Sequence, residues 1–357
     1  MNKNNVLIAG IAGASLGNEI LKSLLLTKKY KIFGADISRF AYGHYQKEFE
    51  NTFIIDENNY IDSLLDVCIE NNIDFIVPGG EEPNILIGKS AKILEKSGIK
   101  LAINSPDLIA KFSDKDTYFK ILSDLNIPIP ITNKITSIGN FVYKSNDMKF
   151  PCIVKPSTHS GGSNFTFFAN NGDEAELYIS YLLNNDKIPL VQEYIPENEG
   201  ENEGEFTVGV LSLPNGKIAG SIALKRMFTS KLSVSQKMKN GLISSGYTQG
   251  YIDYFPEICK QCENIAKAID SKGPINIQGR VKNGILIPFE INMRFSASTY
   301  FRSLAGFNEI DIFLDYLKNG ELVHNNKELN VGYYFRNFSE TFFSNLKDNR
   351  LKGKSIT

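Results

Sequence analysis

The chain has 357 residues, of which 42% are hydrophobic, and its 39 basic and 40 acidic side chains leave a net charge of −1. This length favours two or three globular domains, and the near-neutral charge removes the electrostatic argument for nucleic acid as a partner. Four scattered cysteines predict a reduced, cytoplasmic chain rather than a disulfide framework, and no uncharged apolar run approaches the roughly 18 to 20 residues that span a membrane.

The first hundred residues alternate short apolar runs with amphipathic helical stretches. The apolar runs begin at Val6, Lys31, Thr52 and Asp74, and helical patterns separate them. Strands that alternate with helices form parallel sheets covered on both faces. We therefore predict an α/β domain of Rossmann type over residues 1–105.

Glycines follow the first predicted strand at Gly10, Gly13 and Gly17, and Asp36 ends the second strand. The spacing differs from the G-x-G-x-x-G fingerprint of dinucleotide-binding proteins, although Asp36 lies about where a ribose-binding acid would. A tight turn between strand and helix explains the glycines without any cofactor. Nicotinamide dinucleotide binding is therefore the weaker alternative.

Two acids, Glu81 and Glu82, stand in a Gly/Pro-bounded turn after the fourth predicted strand. The carboxyl end of a parallel strand is a common place for ligand contacts, so both are candidate substrate residues. Capping of the following helix explains them equally well.

The middle of the chain carries a strand, a Ser/Gly loop and another strand. Lys115 lies in a preceding helical pattern, and Lys155 lies near the end of the first of these strands. A lysine followed by such a loop is typical of a flap whose backbone N–H groups cradle phosphate, although a flexible hairpin linker has the same pattern. The loop residues are Ser160, Gly161, Gly162 and Ser163.

A strand ending at Glu193 leads into the acidic run 197–204, which we predict to be a solvated loop. Glu205 then begins a strand that we place beside the Glu193 strand. Lys225 and Arg226 end a later strand, and the polar stretch 227–245 after them is predicted to be a long loop, which in a compact domain is usually functional.

The segment around residues 274–298 carries the strongest functional pattern. Strand alternation places Glu290, Asn292 and Arg294 on one face, and a hairpin turn at Asn283-Gly284 brings Gln278 opposite Glu290. Carboxylate and amide oxygens suit Mg²⁺, and an adjacent arginine suits phosphate or an oxyanion. The alternative is a half-exposed strand with a solvated polar face.

Taken in order, these motifs resemble the ATP-grasp superfamily, and within it single-unit proteins related to the carbamoyl phosphate synthase large subunit. The glutamine at Gln278, where many members of the superfamily have an acid, supports the narrower likeness. The resemblance covers residues 5–320. It implies an α/β, Rossmann-like pre-ATP-grasp domain (1–105) followed by a two-part ATP-grasp fold. The two parts are a central region with the lid (106–185) and a C-terminal α+β ATP-grasp domain with the metal site (186–330), and a tail (331–357) follows.

The resemblance also implies roles for individual residues. ATP phosphates would contact Lys115, Lys155 and the loop of Ser160, Gly161, Gly162 and Ser163, while Glu193, Tyr194 and Ile195 would form the hinge that binds adenine. Glu205 would take the ribose hydroxyls. Glu290 would bridge two Mg²⁺ (or Mn²⁺) ions, completed by Gln278 and Asn292. Arg294 would hold the acyl phosphate, with Lys225 or Arg226 guiding the substrate carboxylate.

The implied chemistry is an ADP-forming ligation of a small-molecule carboxylate to an amine through an acyl phosphate. Glu81 and Glu82 could bind an ammonium group, and the small residues Ser296 and Ser298 leave room for substrate. Carbamoyl phosphate synthase-like phosphorylation of bicarbonate or carbamate and a silent nucleotide-binding protein are the alternatives. Dimerisation is common in that family, and the sequence does not decide whether this chain is a homodimer.

Overall fold

A computed structural model of the protein describes residues 3–13, 16–144, 148–158, 165–196, 203–229, 231–322, 328–338 and 340. The predicted phosphate loop of Ser160, Gly161, Gly162 and Ser163 lies outside the described residues, as does most of the acidic run. Within the described ranges, no helix combines the length and the apolar character needed to cross a lipid bilayer.

The N-terminal part is a five-stranded sheet in the order β3-β2-β1-β4-β5. All four strand pairings are parallel, which confirms the predicted α/β architecture. The strands are β1 (Asn4–Ala9), β2 (Tyr30–Asp36), β3 (Asn51–Ile54), β4 (Phe75–Pro78) and β5 (Lys100–Leu101). The helices are α1 (Leu16–Leu25), α2 (Tyr60–Glu70), α3 (Glu81–Lys89) and α4 (Ala91–Lys96).

The central part is a four-stranded sheet in the order β6-β9-β7-β8, preceded by two helices. The predicted strand–loop–strand is the antiparallel pair β7–β8. The strands are β6 (Thr132–Lys134), β7 (Cys152–Pro156), β8 (Phe167–Ala169) and β9 (Pro189–Glu193). The helices are α5 (Pro106–Phe112), α6 (Lys115–Asp124), α7 (Ile138–Lys144) and α8 (Gly172–Leu183).

The C-terminal part is a six-stranded sheet in the order β16-β15-β10-β11-β14-β17, with a separate hairpin β12–β13. The sheet strands are β10 (Gly204–Ser212), β11 (Ile218–Arg226), β14 (Gly250–Ile252), β15 (Pro274–Lys282), β16 (Ile285–Asn292) and β17 (Gly332–Tyr334). The hairpin strands are β12 (Val234–Met238) and β13 (Gly241–Ser244). The helices are α9 (Pro256–Ala268), α10 (Thr299–Leu304) and α11 (Glu309–Asn319).

Two predictions about this part are wrong. The strand that carries Glu205 does not lie beside the strand that carries Glu193, because β10 pairs with β11 and β15 while β9 belongs to the central sheet. The stretch 227–245 is not one long loop, because it contains the β12–β13 hairpin. Its two turn residues are Lys239 and Asn240, and the Asn240-Gly241 pair of the sequence lies at the end of the turn, because Gly241 pairs with Met238.

Two buried hydrophobic clusters join the N-terminal sheet and the C-terminal sheet. Leu7 and Ile76 of the N-terminal sheet belong to the same buried cluster as Phe206, Ile277 and Met293. This shared core fixes the carboxyl edge of the parallel sheet against the end of β16, where the candidate site lies.

Candidate functional site

The β15–β16 hairpin sets the geometry of the site. Its register places Gln278 opposite Glu290, which confirms the predicted pairing. The turn residues Asn283 and Gly284 have φ angles of 53° and 75°, the left-handed pair that a type I′ turn requires. The register shifts between Gln278 and Gly279, so Phe289 is an extra residue that bulges out of the ladder.

Oxygen-bearing side chains converge at the end of this hairpin. Glu290 is half-buried, and Asn292 donates from Nδ2 to Glu290 Oε1 at 3.3 Å. The described residues contain no group of three or more His, Cys, Asp or Glu side chains that could hold a metal ion. A carboxylate with amide oxygens from Gln278 and Asn292 is instead the mixed oxygen set that Mg²⁺ accepts while keeping waters and phosphate as its other ligands.

Lys155 is a buried cation beside this hairpin. Its Nζ donates to Gln192 Oε1 at 2.9 Å and to the carbonyl of the bulged residue Phe289 at 3.0 Å. Burial, with a smaller contribution from the charge of Lys115, lowers the pKa of Lys155 to about 7, and the charge of Glu290 opposes the change. The ammonium group is therefore held by neutral oxygens, and no carboxylate in the described part of the chain forms a salt bridge with it.

A first cleft, which we call the nucleotide cleft, opens between the central and C-terminal sheets. One side is apolar and includes Ile153, Leu242 and Phe289. The predicted cofactor and metal residues that line it are Lys115, Lys155, Glu193, Tyr194, Ile195, Glu205, Gln278 and Glu290. The structure thus brings these sequence-predicted residues to one place, although they come from several elements.

Glu205 in this cleft is already engaged by two arginines. Its Oε1 accepts from Arg226 Nη1 at 3.1 Å, and its Oε2 accepts from Arg280 Nε at 3.1 Å and Nη2 at 3.0 Å. Arg226 also donates to the Ser245 carbonyl at 2.7 Å. Glu205 is only 1% exposed, so its carboxylate serves this buried ion network as it stands.

Lys225 and Arg226 do not join the substrate region in this structure. Arg226 lies with Glu205, and burial lowers its pKa. Lys225, the preceding residue of β11, pairs with Phe206 and Tyr251 in the sheet. Because successive strand residues point to opposite faces, the two basic side chains cannot act together on one carboxylate.

A second cavity of about 480 Å³, which we call the acceptor cavity, adjoins the nucleotide cleft. Both are lined by Lys115 and Glu290, and the acceptor cavity adds Glu81, Glu82 and Arg294. Arg294 donates from Nε to Glu81 Oε2 at 3.0 Å and from Nη1 to the Phe295 carbonyl at 2.9 Å. The two acids therefore face a cavity, and the N-cap residue of α3 is Gly80.

Ser296 and Ser298 are buried, with exposed fractions of 5% and 1%. Their hydroxyl oxygens lie 3.1 Å apart, and the Ser298 backbone N–H donates to Ser296 Oγ. Neither is among the described residues that line the two cavities. Their hydrogen bonds instead shape the turn after β16.

The N-terminal glycines are explained by packing. A Cβ atom on Gly17 would lie 2.0 Å from the Gly10 carbonyl oxygen, and Gly10 and Gly13 have φ angles of +102° and +81°. Asp36 accepts hydrogen bonds from the backbone N–H groups of Ile11 and Ser38 at 2.8 and 3.0 Å. These contacts favour the tight-turn interpretation over a dinucleotide fingerprint.

Among the lining residues of the nucleotide cleft that sequence reasoning missed, two hold predicted site residues in place. Gln192 holds Lys155, and Arg280 holds Glu205 and donates to the hinge carbonyl of Ile195 at 2.6 Å. Arg280 could have been found, because it follows Gln278 by two residues on the same strand. Nothing in the sequence separates Gln192 from an ordinary strand glutamine.

Comparisons with known proteins agree with this geometry. The family described as ATP-grasp in the biosynthetic pathway with Ter operon matches residues 190–337. The carbamoyl phosphate synthase large chain of Saccharolobus solfataricus is 25% identical over 268 residues, covering 70% of this chain and 23% of that protein. Over residues 190–337 the chain therefore resembles ATP-grasp proteins.

Solved structures share the fold of this chain at low sequence identity. The biotin carboxylase domain of the Hydrogenobacter thermophilus 2-oxoglutarate carboxylase, a dimer in complex with MgADP, ADP and bicarbonate, aligns with a TM-score of 0.64 and 15% identity over 92% of this chain and 73% of that one. N5-carboxyaminoimidazole synthetase from Staphylococcus aureus, complexed with ADP, aligns with a TM-score of 0.65 and 15% identity over 92% and 81%. The chain spans about a quarter of the length of the synthase large chain it matches.

Proposed function

We propose that this protein is an ADP-forming ATP-grasp ligase that joins a small-molecule carboxylate to an amine through an acyl phosphate. The observation that carries the proposal is the pair of adjoining cavities that share Lys115 and Glu290. One cavity is lined by residues that suit a nucleotide, and the other is lined by Arg294 and two acids, Glu81 and Glu82. A phosphoryl group held at the shared residues would be within reach of a substrate in the acceptor cavity.

Magnesium nucleotide fits the residues of the nucleotide cleft. The hinge of Glu193, Tyr194 and Ile195 would hold adenine, and Lys115 and Lys155 would hold phosphates. The lowered pKa of Lys155 supports this, because a buried cation held by neutral oxygens gains a counter-ion when phosphate binds. Gln278, Glu290 and Asn292 would hold Mg²⁺ or Mn²⁺, which would neutralise phosphate charge.

For Glu205, which lines the nucleotide cleft, we propose contact with ribose hydroxyls. Its two arginine partners fix the orientation of its carboxylate, so it would act as a rigid acceptor. The loop of Ser160 to Ser163 keeps its proposed role in covering the phosphates, which rests on the sequence.

In the acceptor cavity, Arg294 would bind the carboxylate substrate and then the acyl phosphate and the tetrahedral oxyanion. Glu81 already orients Arg294, which leaves Glu82 as the candidate for binding the ammonium of the amine substrate. Catalysis of phosphoryl transfer depends chiefly on positioning the reactants and neutralising the phosphate charge, and these residues would do both. A homodimer belongs to the same proposal and is supported by the dimeric Hydrogenobacter thermophilus domain.

Similarity to the synthase large chains favours bicarbonate or carbamate as a second candidate for the phosphorylated carboxylate. The two candidates differ in what stimulates ATP hydrolysis. Bicarbonate alone should suffice for the second, whereas the first requires a metabolite carboxylate together with an amine.

ADP release in the presence of ATP, Mg²⁺ and a panel of carboxylates, amines and bicarbonate tests the proposal. A stimulating pair should be found, and Arg294→Gln should lower kcat about 100- to 1000-fold with little change in the KM for ATP, because one oxyanion donor contributes roughly 3 to 4 kcal/mol. Exposed Lys217 provides the control, since Lys217→Ala should leave kcat unchanged.

Two outcomes would count against the ligase. Silence of the wild-type protein across the whole panel would favour a nucleotide-binding protein without catalysis. Full activity of Arg294→Gln would remove the assignment of the acceptor cavity.

A further inference from the structure

A third cavity of about 220 Å³ lies at the carboxyl end of β1, away from the two cavities of the proposed active site. It is bounded by the first turns of α1 and by residues 336–338, and it shares no described lining residue with the other two. The carboxyl edge of a parallel sheet is where α/β proteins commonly bind small ligands. We call this cavity the β1-edge pocket.

Three ionisable side chains of the β1-edge pocket form one cluster, two positive and one negative. Lys22 Nζ lies 2.5 Å from Glu19 Oε1, and Arg336 Nη2 lies 3.7 Å from Glu19 Oε2. Glu19 carries one negative charge and Lys22 and Arg336 carry one positive charge each, so the cluster has a net charge of about +1. A pocket with this balance favours an anionic ligand group.

The two cations are held in place by neighbours outside the pocket. Arg336 donates to the Ala297 carbonyl at 2.7 Å, and its guanidinium lies 4.7 Å from the Phe301 ring centroid. Lys22 Nζ lies 4.6 Å from the Tyr300 ring centroid. Because these contacts fix both side chains, an arriving anion meets a site that needs little ordering.

Glu19 gives the second sign that the pocket takes a ligand. It is only 5% exposed, and its Oε2 has no donor within hydrogen-bond distance among the described residues, since the Arg336 Nη2 atom of the ion pair lies 3.7 Å away. A buried carboxylate oxygen without a donor is uncommon in folded proteins. A hydroxyl or ammonium group next to the anionic group of a ligand would satisfy it.

We propose that the β1-edge pocket binds a small metabolite through a carboxylate or phosphate group. Arg336 and Lys22 contact the anion, the amino end of the ten-residue helix α1 contributes its partial positive charge, and Glu19 accepts from a donor group on the same ligand. This site does not depend on the ligase proposal, because none of its residues lies in the nucleotide cleft or the acceptor cavity.

The chain has no tryptophan, so one introduced beside the pocket reports on it alone. Phe338 lines the pocket and is 43% exposed, which makes Phe338→Trp a mild substitution. Inorganic phosphate and acetate are titrated separately at constant ionic strength, without ATP or Mg²⁺. The tryptophan emission should change and saturate with at least one probe, and the probe that saturates identifies the anion class.

Three further variants in the Phe338→Trp background locate the binding. Arg336→Gln should weaken it about tenfold or more, as expected for loss of a charge-assisted hydrogen bond, and Arg336→Lys should recover part of it. Lys155→Gln in the nucleotide cleft should leave it unchanged. Far-UV circular dichroism checks that each variant is folded.

Emission that changes only linearly with both probes would overturn the proposal. Equal affinity in Arg336→Gln, or loss of binding in Lys155→Gln, would also overturn it, because the anion would then bind elsewhere. Since no turnover is measured, an inactive ligase would not affect the result.

Discussion

Lys155 is a buried cation whose surroundings favour the binding of an anion. Its Nζ contacts the amide oxygen of Gln192 and the carbonyl oxygen of Phe289, and no carboxylate among the described residues forms a salt bridge with it. A cation removed from water without a counter-ion is unfavourable, so its pKa falls to about 7. The nucleotide-free fold is therefore less stable than it would be with a neutral side chain there.

This charge predicts how stability depends on pH in the absence of nucleotide and Mg²⁺. The folded-state pKa of Lys155 is lowered from 10.5 to about 7, so between these values the unfolded chain binds more protons at this residue. The contribution of Lys155 to the free energy of unfolding should therefore rise with pH across this window, by at most ~1.4 kcal/mol per pH unit. Below the folded-state pKa both states are protonated and this contribution is flat.

Urea unfolding at several pH values measures the effect. Lys155→Met should remove the rise between the two pKa values of Lys155, whereas Lys217→Met, which changes an exposed lysine, should keep it. If wild type and Lys155→Met show parallel pH profiles, Lys155 does not have the lowered pKa described here.

Single residues differ in how far the sequence predicts them. Glu290 and Asn292 were predictable because strand alternation and a hairpin turn fix which side chains share a face. The Arg294 contact with Glu81 was not, because the two residues are 213 positions apart and meet only through packing of the two sheets. The contacts of Glu205 with Arg226 and Arg280 were also not predicted, because they too depend on how the strands pack.

The β15–β16 hairpin is the element on which the metal assignment depends. Its turn fixes the register, and a slip by one residue would move Glu290 and Asn292 to the opposite face. Gly284 has a φ of +75°, and no heavy atom of the described residues lies within 4 Å of the position that a Cβ atom would take. A side chain there therefore meets backbone strain but no clash.

Gly284→Ala should therefore lower the free energy of unfolding by about 1 to 2 kcal/mol, the strain of a left-handed non-glycine residue. Gly172, in the first turn of α8, also has open space around it but has no positive φ. Gly172→Ala should leave stability unchanged or raise it by up to about 1 kcal/mol. Equal effects of the two substitutions in chemical denaturation would contradict the turn geometry.

A helix or strand was predictable where its own residue pattern determines it. It was not predictable where its position depends on the strands that it pairs with. The strands around Asn283 were predicted because the turn pair and the alternation agree. The β12–β13 hairpin was missed although Asn240 and Gly241 carry the same signal, because its strands are polar and short. The sequence did not predict that β10 lies between β15 and β11, because the order of strands in a sheet is not encoded in any local residue pattern.

For the molecule as a whole, two buried clusters join the N-terminal and C-terminal parts. Cys68 of α2 and Cys262 of α9 both belong to the larger cluster, with exposed fractions of 2% and 0%. Further contacts join the two parts, including Tyr30 Oη to Asp311 Oδ1 at 2.8 Å. The four-part division predicted from sequence therefore does not imply independent folding units.

We expect these two parts to unfold together. Two single-cysteine variants, one keeping Cys68 and one keeping Cys262, allow thiol labelling of each part in increasing denaturant. Since both thiols are buried, labelling requires opening, and the two opening free energies should agree within about 1 kcal/mol. Labelling of Cys68 at a free energy lower by several kcal/mol would show that the N-terminal sheet opens by itself.

The central claim is that Glu290 and its amide neighbours hold magnesium nucleotide in the nucleotide cleft. Calorimetric titration of ADP with and without Mg²⁺, into wild type and Glu290→Gln, tests it most directly. Mg²⁺ should tighten ADP binding to wild type by about tenfold or more, ~1.4 kcal/mol, and should have little effect on the variant. Equal Mg²⁺ dependence in both proteins would contradict the claim.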